Sequence, residues 1–202
     1  LELVVLFGIG SRTLFESLFT LSSWNITYVW TWVTSIFAHS PTGFMHIFFN
    51  SIVLYFFGPI VERRVGSKAF TALFLGSGIV AGLAQVLATM ALGGSTSVLG
   101  ASGAIAALLG VLTVLNPNLR IYLYFILPMP LWVATLLFAT YSVFVSSVGG
   151  LGAGGVAQLA HLAGLGMGLA YGMYLKSQGA QAPQQLRIGG GPGSGGRGRR
   201  RF

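Results

Sequence analysis

An all-α bundle of six membrane-spanning helices is the fold class this sequence predicts, on three observations. Hydrophobic residues make up 54% of the 202-residue chain and charged residues 7%, against about 25% charged in an ordinary soluble domain. Six apolar stretches, at 1–20, 44–61, 69–92, 102–116, 130–147 and 157–175, approach the roughly 20 residues that cross a bilayer. Finally, ten of the eleven Lys and Arg residues lie in the connections 62–68, 117–129 and 176–202, and none lies in 21–43, 93–101 or 148–156. The positive-inside rule puts the basic set in the cytoplasm. The expectation is a multi-pass protein of the cell membrane with both termini cytoplasmic.

The stretches can be justified in order. The first is interrupted by Arg12 and Glu16, which at i,i+4 can pair on one helix face. Because residue 1 is Leu rather than Met, an upstream segment is expected and this stretch reads as a truncated span. The second opens at Gly43 and carries Gly58-Pro59 near its end, where the missing N–H of proline is expected to kink or stop the helix before "VERRVGSK". The third carries Gln85 within it.

The fourth, from Ser102 to Asn116, would cover roughly 21 Å of a ~30 Å hydrocarbon core, leaving Ser102 several ångströms below the outer surface. "NPNLRIYLYFILPMP" then predicts a short extended segment at the interface, with Pro130 as the first residue of the fifth helix. "SSVGGLGAGGVAQ", with five glycines, predicts a mobile outer loop before the sixth span. Residues 1–176 therefore form the membrane domain, and 177–202 a disordered Gly/Arg-rich cytoplasmic tail. Its RGRRR cluster is read as a topology anchor, with no nucleic-acid partner expected.

Polar groups within spans are costly unless they pair or act, so they form the candidate functional list. It comprises His46, Asn50, Ser102 and His161, with Gln85 as a lesser member. Ser102, in "GASG", is either a helix N-cap or a nucleophile beside the free N–H groups of a helix start. His161, in "AHLAGLGMGLAYG", shares its helix face with Gly164 and Gly168. The fourth span offers a matching strip of Gly103, Ala107 and Gly110, and small residues let membrane helices approach closely. Packing these strips together brings both helix starts side by side, where Ser102 and His161 can share a hydrogen bond. His46 and Asn50 form the i,i+4 pair of "HIFFN", suited either to tying helices or to donating to an oxyanion. His39, in the preceding outer loop, is expected to support His46.

Elimination narrows the chemistry. The chain has no Asp and no Cys, only three His and no HExxH, which excludes an aspartyl pair and argues against a zinc site. The carboxylates are Glu2, Glu16 and Glu62, and Glu62 belongs to the cytoplasmic end of the second span. A Ser-His dyad without a third acidic member is what remains. No metal and no cofactor are called for.

"HIFFN", "GPIVERRVG", "GASG" and "AHLAGLGMG" occur in the order and in the spans expected of rhomboid intramembrane serine proteases, and over residues 20–175 the chain resembles that family, of the prokaryotic six-span core type. The resemblance implies Ser102 as nucleophile and His161 as general base. His46, Asn50 and the backbone N–H of Ser102 would stabilise the oxyanion, and Gly100, Gly103, Gly164 and Gly168 would pack around the dyad. It implies cleavage of single-pass or other transmembrane protein substrates near their outer ends, within the lipid bilayer. Substrate would enter past span five, and a wet cavity lined by His46, Asn50 and Ser102 would supply water.

Two positions depart from the family pattern. Ala106 stands where some members carry an aromatic that stacks on the histidine, so another Phe or Tyr must orient His161. "WTW" at Trp30–Trp32 stands where a Trp-Arg pair is common in the first outer loop. The rival readings are an inactive relative that binds or extracts membrane proteins, which would usually lack the Ser or the His, and a channel or transporter, for which the internal repeat and midplane charges are missing.

Overall fold

The computed structural model describes residues 12–39, 44–123, 126–149 and 157–179. Residues 1–11, the Arg12 side chain, Gly43, most of the glycine-rich loop and the tail from 180 lie outside the described residues, and with them the expectations attached to each. Seven helices and four short strands are described: α1 (Arg12–Phe19), β1 (Leu21–Ser22), α2 (Thr31–Phe37), α3 (Phe44–Val65), α4 (Ser67–Ala91), β2 (Ser97–Val98), α5 (Ser102–Leu115), β3 (Arg120–Leu123), β4 (Leu127–Pro130), α6 (Leu131–Gly149) and α7 (Gln158–Ser177). The fold is a mostly helical membrane bundle.

Among the described residues, three helices are long and apolar enough to cross a bilayer: α3, α4 and α6. α3 and α6 turn Phe48, Phe49, Tyr55, Phe56, Leu136, Tyr141 and Phe144 outward. A contiguous apolar surface of that kind is what lipid covers. α5 is too short to qualify and α7 is diluted by glycine, yet α5 is the interior of the bundle and α7 lies directly against it. Ten of the fourteen residues of α5 are buried, so it is enclosed on all sides. Around it pack α7, α4, α3 and α6.

The contact between α5 and α7 is backbone on backbone. A Cβ added to Gly164 would meet the Gly103 carbonyl, and one added to Gly168 would meet the Ala107 carbonyl. At Gly110 it would lie 2.6 Å from the Leu165 carbonyl oxygen. The register climbs in step along both helices, so they run parallel and start at the same end of the bundle.

Pro59 does not stop its helix, and Pro130 does not open one. α3 continues through Pro59 to Val65 and stops at Gly66, whose φ of +81° ends the helix. In membrane bundles a proline inside a helix is tolerated because neighbouring groups can re-satisfy the backbone it frees. Pro130 is not helical: it closes β4, pairing with Arg120 in an antiparallel β3–β4 hairpin, and α6 begins at Leu131. The interfacial segment is thus extended, as its alternation implies. At the same end, Arg64 Nη2 donates to Asn116 Oδ1, tying α3 to the end of α5. Thr113 and Thr135 share a 2.6 Å hydroxyl contact between α5 and α6.

At the opposite end, β1 pairs with β2, and the hydroxyls of Ser22 and Ser97 lie 2.7 Å apart. Asn25, fully buried, accepts from the Ser22 N–H and donates to the Thr20 carbonyl. In the "WTW" segment, Trp32 Nε1 donates to the Ile26 carbonyl at 2.8 Å and Trp30 Nε1 to the Ser17 carbonyl at 3.2 Å. These indole bonds anchor the connection without an arginine. α2 then reaches the site, because the Ser35 carbonyl accepts from the Gly100 N–H at 2.8 Å.

Candidate active site

Gly100 shapes the approach to Ser102. Its φ of +108° is a conformation that L side chains rarely adopt. A Cβ there would also lie 2.7 Å from His46 Cε1 and 3.6 Å from Asn50 Nδ2. The chain just before Ser102 therefore presses against the two polar residues of α3.

Ser102 is the first residue of α5 rather than its cap. The N-cap is Ala101, in right-handed helical conformation and without a side-chain capping bond. The first hydrogen bond inside the helix runs from the Ile105 N–H to the Ala101 carbonyl. The N–H groups of 102 to 104 consequently have no partner within α5, and they carry the positive end of its dipole. The hydroxyl is left available for another helix.

That helix is α7. Ser102 Oγ and His161 Nε2 are 2.8 Å apart. With the hydroxyl donating, Nε2 accepts and the ring proton sits on Nδ1. Nδ1 is buried and has no hydrogen-bond partner among the described residues, so none of the described carboxylates completes a triad there. Instead the imidazole is flanked by an aromatic ring: Phe138 of α6, with centroids 5.5 Å apart and a 37° tilt. Nothing in the sequence pointed to Phe138 in particular, because it is one aromatic residue among many on a lipid-facing helix.

His46 and Asn50 share one face of α3. Asn50 is buried, whereas His46, Ser102 and His161 are half-buried. Asn50 Nδ2 lies 2.9 Å from His39 Nε2, and His39 Nδ1 lies 3.3 Å from the Phe37 carbonyl. A neutral His39 with its proton on Nδ1 satisfies both contacts: it donates to the carbonyl and accepts from the amide. The His39 and His46 rings meet edge to face at 5.2 Å. The expected support of His46 by His39 thus extends to Asn50, whose amide His39 orients.

The arrangement combines a hydroxyl against an imidazole, a helix start with free N–H groups, and an oriented amide and imidazole beside the same chain segment. Comparison with known proteins bears on the family of the chain. Residues 27–178 match the family model of the rhomboid domain. Over 163 residues the chain is 34% identical to Rhomboid protein 1, mitochondrial, of Saccharomyces cerevisiae, covering 77% of this chain and 44% of that protein. It is 35% identical over 82 residues to a Bacillus subtilis protein provisionally named a rhomboid protease, covering 41% of this chain and 39% of that protein. Over 114 residues it is 33% identical to RHOMBOID-like protein 12, mitochondrial, of Arabidopsis thaliana, covering 50% of this chain and 33% of that protein. The chain therefore spans less than half the length of each of these relatives. A domain match over three quarters of the chain, on a helical membrane bundle, establishes that the chain belongs to the rhomboid family.

Proposed function

We propose that this chain is an intramembrane serine endopeptidase that hydrolyses transmembrane segments of other membrane proteins near their outer ends. The observation that carries the reading is the 2.8 Å contact between Ser102 Oγ and His161 Nε2 at the starts of two parallel, closely packed helices. Ser102 Oγ attacks the substrate carbonyl carbon while His161 Nε2 takes its proton. The tetrahedral intermediate collapses, the C–N bond breaks, and His161 returns the proton to the leaving amine. Water, deprotonated by His161, then attacks the acyl ester, and the second collapse releases the carboxyl product and regenerates the Ser102 hydroxyl.

Negative charge appears on the carbonyl oxygen twice in this sequence. Its donors are the Ser102 N–H, His46 and Asn50. No metal or cofactor enters any step. Substrates are single-pass or other transmembrane proteins, reached laterally from lipid past α6. The charge pattern supports a cell-membrane location with both termini cytoplasmic, a membrane domain over 1–176 and a separate tail over 177–202.

A fluorophosphonate probe tests the reading directly. The wild-type protein in detergent is expected to be labelled and the Ser102→Ala protein is not. Absence of labelling in the wild type, together with no cleavage of any single-span substrate, would instead favour a binding or extraction role. A second expectation concerns Asn50→Ala, which removes one donor and should slow turnover roughly 10- to 10³-fold. Unchanged turnover in that variant would remove Asn50 from the oxyanion site.

A further inference from the structure

The residue before the first turn of α7 is Ala157, which has no side-chain acceptor. The opening N–H groups of a helix lack partners within it, and a capping side chain ordinarily accepts from the second or third of them. In α7 the first internal bond runs from the His161 N–H to the Ala157 carbonyl at 3.2 Å. The N–H groups of Leu159 and Ala160 donate instead to a single atom, Gln85 Oε1, at 3.0 and 3.3 Å.

Gln85 belongs to α4 and is fully buried. Its Nε2 donates to Thr89 Oγ1, and that hydroxyl donates to the Gln85 carbonyl at 2.9 Å, which holds the amide with Oε1 toward α7. One turn earlier, Ala81 is also buried, and a Cβ at Gly103 would lie 2.5 Å from its methyl group. A single face of α4 thus touches the start of α5 through Ala81 and the start of α7 through Gln85.

We propose that Gln85 is a positioning residue that caps α7 from a neighbouring helix and thereby sets the depth and rotation of the turn carrying His161 against Ser102. The inference rests on reading those two groups as base and nucleophile. Two N–H groups deprived of their acceptor, the Ala160 one buried and the Leu159 one partly so, would loosen the turn, and His161 is the next residue along. Misplacing a reacting group by an ångström costs about 10²-fold in rate.

Three variants of the full chain in detergent, assayed on a single-span substrate, test this. Gln85→Leu keeps the volume and loses the acceptor; it is expected to lower kcat roughly 10- to 100-fold with KM changed less than about twofold. Gln85→Glu retains an oxygen facing the positive helix start, and Gln85→Leu/Ala157→Asn supplies a cap from α7 itself; both should recover kcat to within about fivefold of wild type. Hydrogen exchange at the Leu159 and Ala160 amides should quicken by about tenfold or more in Gln85→Leu and slow again in the double variant.

Unchanged exchange at those two amides in Gln85→Leu overturns the cap. Exchange restored by Ala157→Asn without recovery of kcat overturns the positioning role. If wild type fails to cleave, or Ser102→Ala cleaves as fast as wild type, the nucleophile reading falls instead, while exchange at Leu159 and Ala160 still decides the cap.

Discussion

Ser102→Ala is expected to abolish cleavage of a single-span substrate, with a loss of roughly 10⁴- to 10⁶-fold, and His161→Ala to cost about as much. The two groups act as one unit: without the imidazole the hydroxyl keeps its proton, and without the hydroxyl the imidazole has nothing to activate. The double variant should therefore be no slower than either single one. The measurement is product formation in detergent at matched concentrations of folded protein. Cleavage at the wild-type rate in either single variant would eliminate the dyad. Additive losses in the double variant would argue for separate roles.

The second large effect is on stability. Gly168→Leu should destroy the seating of α7 on α5, because even a methyl group at 168 would occupy the space of the Ala107 carbonyl. The obstruction is backbone rather than a side chain that can rotate away, so relief requires the helices to separate along their length. Overpacking in a core typically costs about 1–3 kcal/mol, and a clash with no rotamer escape belongs among the exceptional losses above about 4 kcal/mol. Gly164→Val should behave alike, through the Gly103 carbonyl. Gly166 supplies the control, since a Cβ there has nothing within 4 Å. Gly166→Ala should hold or raise stability by roughly 0.5–1 kcal/mol, as alanine replaces glycine within a helix. Thermal unfolding in one detergent compares the three; equal midpoints for Gly168→Leu and wild type would contradict the packing.

Part of this site could be read before any coordinates, because its signals are periodic or compositional. Small residues spaced along one face at 103, 107 and 110 and at 164 and 168 implied a close parallel approach, and that approach carries the 102–161 contact. Polar residues in apolar stretches are few, which singled out His46, Asn50 and Gln85. The partners were not legible. Gln85 reaches residues 74 and 75 positions away, and Phe138 meets His161 across another helix; neither contact leaves a trace in spacing. The β1–β2 pairing involves two residues a side, too few to show alternation. Of the two outcomes expected at Pro59, a kink or a stop, the stop is not found, because α3 runs on to Val65.

Ser102 and His161 stand 59 positions apart, on helices separated by all of α6. A ribosome delivers the hydroxyl to the bilayer well before its imidazole, and only the late arrival of α7 brings them together. On the proposed reading, a chain inserted only as far as α6 holds the nucleophile without its base, and hydrolytic competence begins when α7 seats against α5.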